Sequence, residues 1–164
     1  MSEDNSIDIY FFEKKNREYF ERNLPPRPAT YFDSEGFKEI TRELLREQEN
    51  HDVYMHLIRD AQGTMVGRIN LSVLEDNRKT AELGYRIGEN VTNLGYASEA
   101  VKLVLEKAFT TYGLHKIIAG TARDNQASQR VLLKNDFTFS KIIENDFQLN
   151  NEWIHTAVFE IRNL

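Results

Sequence analysis

The sequence predicts a three-layer α/β (α+β) domain with a mixed, mainly antiparallel sheet flanked by helices. Three observations lead to this prediction. Three β-rich runs follow one another between residues 53 and 87, a strand–helix–strand pattern comes next, and two β-rich runs close the chain. Runs joined by short polar turns pair antiparallel, whereas a strand–helix–strand unit makes a parallel crossover. The sheet is therefore expected to contain both orientations.

Length and composition favour one domain over residues 1–164. The chain has 164 residues with 40% hydrophobic content, which is enough for a sizeable core. Its 26 acidic and 21 basic residues give a net charge of −5, which argues against a nucleic-acid surface and mildly for cationic substrates. We expect no nucleic-acid partner, and either a monomer or a homodimer.

Several classes of chemistry and location are excluded or disfavoured. The sequence contains no cysteine, which excludes disulfides, a thiolate nucleophile and thiolate-bound zinc. His51, His56 and His115 lack metal-ligand spacing, so we expect no metal. Residues 1–5 are acidic and polar, unlike a signal peptide, and no apolar run approaches membrane-spanning length. A cytoplasmic location without a membrane partner is the default expectation.

The N-terminal third combines a short strand with helices. The apolar run at residues 7–11 predicts a first strand, and residues 15–23 predict a helix. The Pro-rich loop at residues 24–28 separates this helix from the next one. Asp33 or Ser34 is expected to cap that second helix, whose apolar positions follow helical spacing as far as Gln48.

Six strands and two helices are predicted after residue 50. The strands are expected at residues 53–59, 64–73, 80–87, 115–121, 139–143 and 152–161. A long helix starts after Gly95 and stops near Gly113, and a shorter one runs from Asn125 to about Asn135. Polar turns are expected at residues 60–63, 75–79 and 150–151.

The loop before the longer helix is a candidate anion site. Gly95 and Ala97 are small, so the backbone N–H groups at the helix start stay uncovered. Such donors bind phosphate oxygens without a basic cluster, which makes a nucleotide-like cofactor the first hypothesis. The alternative is an ordinary strand–loop–helix connection, which the loop alone favours because a single Gly-x-Ala step is common.

Three ordered motifs indicate a family. They are AELGYRI at residues 81–87, LGYASEA at residues 94–100, and Asn125-x-x-Ser128-x-x-Val131-Leu132. Together they resemble the GNAT superfamily of acetyl-CoA-dependent N-acetyltransferases, and within it the ribosomal-protein alanine acetyltransferases of the RimJ/RimL group. The resemblance covers most of the chain. It implies a twisted sheet with a splayed central parallel strand pair, and acetyl-CoA as co-substrate.

The resemblance also implies which residues hold coenzyme A. The family's pyrophosphate loop follows a Gln/Arg-x-x-Gly-x-Gly/Ala pattern; here the Gly and Ala positions match, but Thr92 replaces the Gln/Arg. Main-chain donors would then carry most of the binding, from Asn93, Leu94, Gly95, Tyr96, Ala97 and Ser98. In the family, pantetheine pairs with strand backbone, here that of Tyr85, Arg86 and Ile87. The alternative for that segment is a plain core strand. Asn125 is expected to cap its helix and to contact the cofactor as well.

Glu82 and Ser128 are the catalytic residues that the resemblance implies. Glu82 falls where some members carry a strand carboxylate that deprotonates the amine, often through water; the alternative is a solvated or salt-bridged glutamate. Ser128 has the position to which thiolate stabilisation is assigned in the RimJ/RimL group, although a serine in a first helical turn also serves as a cap. His155 is an alternative base, and a hydrogen-bonded sheet histidine is the more common role for such a residue.

These expectations describe an enzyme that moves an acetyl group from acetyl-CoA to a primary amine by direct attack. The lack of cysteine disfavours a thioester intermediate. The RimJ/RimL likeness suggests a protein N-terminal amine as acceptor; a polyamine, amino acid or antibiotic amine is the alternative. A non-catalytic module that senses CoA is a third hypothesis, favoured by Thr92. The acidic segment 43–52 is either attractive to a cationic acceptor or a solvated helix face.

The end of the shorter helix departs from the family pattern, which usually has glycine where this chain has Asp136. Asn135 or Asp136 is therefore expected to adopt a left-handed backbone conformation.

Overall fold

The chain folds around one six-stranded sheet. The computed structural model of the protein describes residues 5–74 and 78–163. The strands are β1 (Val53–Arg59), β2 (Met65–Val73), β3 (Thr80–Ile87), β4 (Lys116–Ala122), β5 (Thr138–Leu149) and β6 (Glu152–Arg162), and their spatial order is β1-β2-β3-β4-β6-β5. The helices are α1 (Ser6–Lys15), α2 (Arg17–Glu21), α3 (Ser34–Glu49), α4 (Tyr96–Thr110) and α5 (Gln126–Lys134). The predicted mixed sheet with flanking helices is confirmed.

The prediction of a first strand at residues 7–11 is wrong, because this segment belongs to α1. The apolar run Ile7-Asp8-Ile9-Tyr10-Phe11 suits a strand as well as a helix when it is considered alone. The buried residues of this region show the helical spacing instead; they are Ile9, Phe12, Glu13, Asn16 and Phe20. The helix predicted at residues 15–23 is shorter, since α2 covers only Arg17–Glu21.

Helix α3 begins where the sequence predicted. The Asp33 carboxylate accepts a hydrogen bond from the Gly36 backbone N–H at 2.7 Å, which caps the helix. The 3₁₀ segment Ala29–Phe32 packs closely against this first turn. A Cβ atom at Gly36 would lie 2.2 Å from the Thr30 carbonyl oxygen, so only glycine permits this approach. The contact holds the segment Ala29–Phe32 against α3.

The first three strands form the predicted meander. Strand β2 pairs antiparallel with both β1 and β3, with Ser72 opposite Glu82 and Asn70 opposite Gly84. The turn at residues 60–63 has Gly63 in a left-handed conformation, as hairpin turns require. Of the polar turn predicted at residues 75–79, residues 75–77 lie outside the described part of the chain.

Strands β3 and β4 form the parallel pair, and they separate after three residues. The ladder joins Thr80, Ala81 and Glu82 to residues 116–118, although β3 continues to Ile87 and β4 to Ala122. The central splay that the sequence resemblance implied is therefore present. Helix α4 connects the two strands and leaves a wedge-shaped gap, whose edges present backbone groups without a partner strand.

The C-terminal hairpin is longer than predicted on one side. Strand β5 extends to Leu149 rather than ending near residue 143, because an irregularity between Ile143 and Phe147 lets pairing with β6 resume. The turn falls at Asn150 and Asn151, both with positive φ, as predicted. Asp136 has φ 62°, which confirms the left-handed end of α5.

The helices divide between the two faces of the sheet. Helices α4 and α5 cover one face over a continuous apolar core that includes Leu71, Ala81, Val101, Ile117 and Phe159. Helix α1, the 3₁₀ segment and α3 cover the other face over a smaller cluster of Ile9, Tyr31, Phe37 and Met55. Side chains of a strand alternate between these two faces.

Candidate active site

The loop before α4 has the geometry of an open helix start. Asn93 and Gly95 have φ values of 62° and 88°, and no side chain caps α4. The first backbone N–H groups of a helix have no acceptor within the helix, so those of residues 96–98 are available to a ligand. A Cβ atom placed on Gly95 would meet nothing within 4 Å, so the space beside the loop is open.

Thr92 does not replace the long polar arm that the family pattern would place at this position. Its hydroxyl donates to the Glu89 carbonyl oxygen at 3.1 Å and so turns back into the 3₁₀ segment Glu89–Val91. Ser98 instead anchors the other end of the loop. Its Oγ and carbonyl oxygen accept from the Asn135 Nδ2, at 3.3 and 3.2 Å. The loop is held by its neighbours and presents mainly backbone.

The second half of β3 borders the gap. Residues 85–87 lie beyond the ladder to β4, so their backbone on that side faces the splay. The Tyr85 and Arg86 side chains leave the strand in opposite directions. Arg86 Nη1 donates to Glu13 Oε2 at 2.9 Å on the α1 face, and sequence reasoning missed this contact.

Tyr85 points to the α5 face, where its hydroxyl lies 2.8 Å from Ser128 Oγ. The Asn125 side chain accepts from the Ser128 backbone N–H at 3.0 Å, so Asn125 caps α5 as predicted. Burial raises the pKa of Tyr85, and the hydrogen bond to Ser128 offsets only part of this rise. Tyr85 therefore keeps its proton at neutral pH. The sequence named both residues, but it gave no signal that their side chains meet.

Glu82 lies on the opposite face from Ser128. It is exposed, stands in register with Ser72 of β2 and Ile118 of β4, and marks the last pair before the strands separate. Glu82 and Ser128 therefore lie on opposite faces of the sheet, one on each side of the gap. A thioester placed in the gap would have a carboxylate on one side and a hydroxyl pair on the other.

A buried ionic cluster lies on the same face as Glu82. The Glu13 side chain is only 1% exposed, and three guanidinium groups surround it. Arg68 Nε lies 2.9 Å from Oε1 without hydrogen-bond geometry, Arg27 Nη2 lies 3.7 Å from Oε1, and Arg86 Nη1 binds Oε2. Burial lowers the pKa of Arg86 to about 10, against the opposing effect of Glu13, so Arg86 remains charged at neutral pH.

A pocket of about 420 Å³ opens beside this ionic cluster. It lies between α3, the 3₁₀ segment Ala29–Phe32 and strands β1 and β2. Its lining includes Arg27, Tyr31, Glu43, Glu47, Arg68, Asn70 and Ser72. Asn70 extends over β3, because a Cβ atom at Gly84 would lie 3.4 Å from its side-chain oxygen. The pocket lining ends at β2, where Ser72 stands in register with Glu82 of β3.

His155 is engaged within the C-terminal hairpin. Its Nδ1 accepts from the Asn145 backbone N–H at 3.1 Å and lies 2.5 Å from Glu144 Oε2. Within residues 5–74 and 78–163, no group of three or more His, Asp or Glu side chains could hold a metal ion. None of the helices in these ranges has the length and apolar character needed to cross a bilayer.

Comparison with known proteins identifies the family. The acetyltransferase (GNAT) domain model matches residues 3–138. A probable N-acetyltransferase of Bacillus subtilis, YjcK, is 29% identical over 153 residues, covering 92% of this chain and 84% of that protein. The chain therefore belongs to the GNAT acetyltransferase family, and the resemblance read from its motifs is confirmed.

Solved structures share the whole fold. The ribosomal-protein-S5-alanine acetyltransferase of Vibrio fischeri superimposes with a TM-score of 0.92 at 19% identity, covering 99% of this chain and 90% of that one. The spermidine N-acetyltransferase of Vibrio cholerae, solved with CoA and spermine, gives 0.82 at 18% identity and covers 99% and 92%. These two neighbours are named for different acceptors, so the fold alone does not determine the acceptor.

Proposed function

We propose that this protein transfers an acetyl group from acetyl-CoA to a primary amine by direct attack. The proposal rests on three structural features that follow one another along one path. The open start of α4 leads to the unpaired backbone of residues 85–87, and that edge ends between Glu82 and the Tyr85–Ser128 pair. A donor for a diphosphate, an edge for an amide-bearing arm and two proton-handling groups thus follow one another.

Backbone N–H groups at residues 93–98 would bind the diphosphate of acetyl-CoA, and residues 85–87 would pair with its pantetheine arm. Asn125 would add a contact at the start of α5. Two features support this assignment: the open space at Gly95 and the absence of a side-chain cap on α4. A solved neighbour in complex with CoA supports it as well.

Glu82 and Ser128 would handle the protons of the transfer. Glu82 accepts the proton that the attacking ammonium loses, directly or through water. As the new C–N bond forms and the C–S bond breaks, the nitrogen loses its second proton to the leaving thiolate through water, and the Ser128 hydroxyl donates a hydrogen bond to that thiolate. In this arrangement the Tyr85 hydroxyl, which keeps its proton, would be the donor to Ser128 Oγ, 2.8 Å away, and the serine hydrogen would point into the gap.

The acceptor is a primary amine. A protein N-terminal amine, suggested by the RimJ/RimL likeness, stays a prediction, as does a cytoplasmic location. The pocket of about 420 Å³ beside Glu82 falls within the range typical of small-molecule sites and supports the alternative of a small amine. Thr92, which turns away from the loop, is the observation that favours a non-catalytic module instead.

The purified protein incubated with acetyl-CoA and a panel of amines tests this proposal. The panel contains N-terminal peptides beginning with alanine or serine, polyamines and amino acids, and release of free thiol is measured. We expect turnover with at least one amine. The Glu82→Gln variant should slow turnover at neutral pH at least about tenfold and leave CoA affinity nearly unchanged, because the amide cannot accept the proton.

The matched control is Glu152→Gln, which changes an exposed strand glutamate in the C-terminal hairpin. It should leave turnover unchanged. CoA binding without turnover across the whole panel would contradict the enzyme and support the sensing module. Equal losses of turnover and of CoA affinity in Glu82→Gln would contradict the role given to Glu82.

A further inference from the structure

The pocket beside Glu82 has walls of opposite charge. Glu43 and Glu47 stand one helical turn apart on α3 and line one side. Arg27 and Arg68 line the opposite side, where the Arg27 guanidinium also lies 4.9 Å from the centre of the Tyr31 ring. A ligand that fills this pocket therefore meets both carboxylates and guanidinium groups.

The basic side carries more charge than its own carboxylate neutralises. Among residues 5–74 and 78–163, Glu13 is the carboxylate within 4 Å of Arg27, Arg68 and Arg86, so three positive charges face one negative charge. The Arg68 side chain is only 9% exposed, and its Nε lies 2.9 Å from Glu13 Oε1 without hydrogen-bond geometry, so Glu13 is shared among all three guanidinium groups. Buried charges are normally paired, so this excess favours an anionic group from a ligand.

A wholly cationic acceptor does not match this arrangement. A polyamine would be attracted by Glu43 and Glu47, but its other ammonium groups would lie near Arg27 and Arg68. An amino acid head group carries an ammonium and a carboxylate on one carbon atom. It can satisfy both walls at once, and its side chain can extend past Asn70 and Ser72 toward Glu82.

We propose that the acceptor is a small amine that also carries a carboxylate, of the kind found in a diamino acid. The carboxylate pairs with Arg27 and Arg68, the neighbouring ammonium pairs with Glu43 and Glu47, and the terminal amine reaches Glu82. This assignment rests on the proposed acetyltransferase function and narrows its acceptor. It makes Arg27 a specificity-determining residue, since its side chain is 30% exposed and reaches the pocket.

Matched pairs of acceptors isolate the contribution of the carboxylate. Lysine and cadaverine share the same terminal aminobutyl arm and differ by the α-carboxylate, and ornithine and putrescine form a second pair. The value of kcat/KM is measured for each by thiol release, with the acetylated product identified by mass spectrometry. We expect each amino acid to exceed its decarboxylated partner by at least about tenfold, the effect of one charge-assisted contact.

Variants separate recognition from general structural damage. Arg27→Gln should remove the preference by lowering kcat/KM for lysine about tenfold while leaving that for cadaverine unchanged or higher. Arg27→Lys should retain part of the preference, because it keeps the charge. Arg42→Gln is the control, since Arg42 lies on the exposed side of α3 and pairs with Glu39. It should leave both values unchanged.

The outcomes distinguish this inference from the function on which it rests. Turnover of cadaverine or putrescine equal to or above that of the amino acids overturns the inference and leaves the acetyltransferase intact. A preference that persists in Arg27→Gln also overturns it. A protein that turns over no amine at all overturns the proposed function and this inference with it.

Discussion

The two faces of the sheet are stabilised by different physics. The face under α4 and α5 is covered by a continuous apolar core, in which Leu71, Ala81 and Ile117 are fully buried. The face under α1 and α3 combines a small apolar cluster with the ionic cluster around Glu13. Hydrophobic burial is non-directional and tolerates small losses, whereas a buried charge needs every partner. The apolar face should therefore respond to substitutions in graded steps, and the ionic face abruptly.

The largest effect is expected for Glu13→Gln. This nearly isosteric change removes the carboxylate that compensates three guanidinium groups, and breaking a buried ion pair costs about 3–5 kcal/mol. On the other face, Ile117→Val removes one methylene and should cost about 1 kcal/mol. Urea denaturation of both variants measures the two free energies of unfolding.

The exposed pair Arg17–Glu21 supplies the control for charge removal. Arg17 Nε and Glu21 Oε1 lie 2.8 Å apart, yet both side chains are accessible to solvent. Glu21→Gln should therefore lower the free energy of unfolding by less than about 1 kcal/mol. If Glu13→Gln lowers the free energy of unfolding as little as Glu21→Gln does, the contrast between the two faces is contradicted.

The second effect concerns the loop before the start of α4, at the edge of the apolar face. Gly95→Glu adds a negative charge where the diphosphate is proposed to bind, and CoA affinity should fall at least about a hundredfold. Gly63→Glu is the matched control, because Gly63 has a similar φ of 82° and equally open space but lies in the β1–β2 turn. Isothermal titration calorimetry measures both affinities.

A third variant separates the backbone conformation from the added charge. Asparagine tolerates positive φ and adds no charge, so the affinity of Gly95→Asn for CoA should stay within a few-fold of that of the parent. Unaltered CoA binding in Gly95→Glu would move the cofactor site elsewhere. Equal losses in the glutamate and asparagine variants would point to the bend itself rather than to electrostatics.

The contrast between the faces also explains what the sequence could predict. Strands 53–59 and 80–87 were located because one side of each alternates into the apolar core and polar turns bound them. The bend at Gly95 was recognisable because a left-handed glycine before a helix is a local feature of one residue. The ionic cluster was not, since Glu13 and Arg86 are 73 positions apart and their meeting depends on the packing of α1. The same helix was mistaken for a strand, so its buried glutamate went unnoticed.

Substitutions at Tyr85 and Ser128 test whether side chains on the apolar face contribute to catalysis. Ser128→Ala should lower kcat about a hundredfold, the usual effect of losing one donor to a developing charge. Tyr85→Phe should lower it about tenfold, because it removes only the hydrogen bond that orients Ser128. CoA affinity should change little in either variant.

The double variant decides whether Tyr85 acts through Ser128. In the Ser128→Ala background, adding Tyr85→Phe should have almost no further effect on kcat, since residues that act as one unit are not additive. Two independent, additive losses would assign Tyr85 a separate role in packing or cofactor contact.

The smallest effect is a pH dependence on the apolar face. Burial is the largest cause that lowers the pKa of His56 below its usual 6.5, and the Lys107 charge also lowers it. Its Nε2 lies 3.0 Å from the Tyr112 hydroxyl, which can donate to the neutral ring. As the pH falls through 6.5, the unfolded chain takes up the proton before the folded one does, so the free energy of unfolding decreases.

His56→Gln should remove the contribution of His56 to this decrease in the free energy of unfolding between pH 7.5 and 5.5. Tyr112→Phe should retain most of it, because burial is the larger cause. Denaturation curves at both pH values measure the slopes, and a His56→Gln slope equal to that of the parent would mean that the buried imidazole is not what makes this face sensitive to acid.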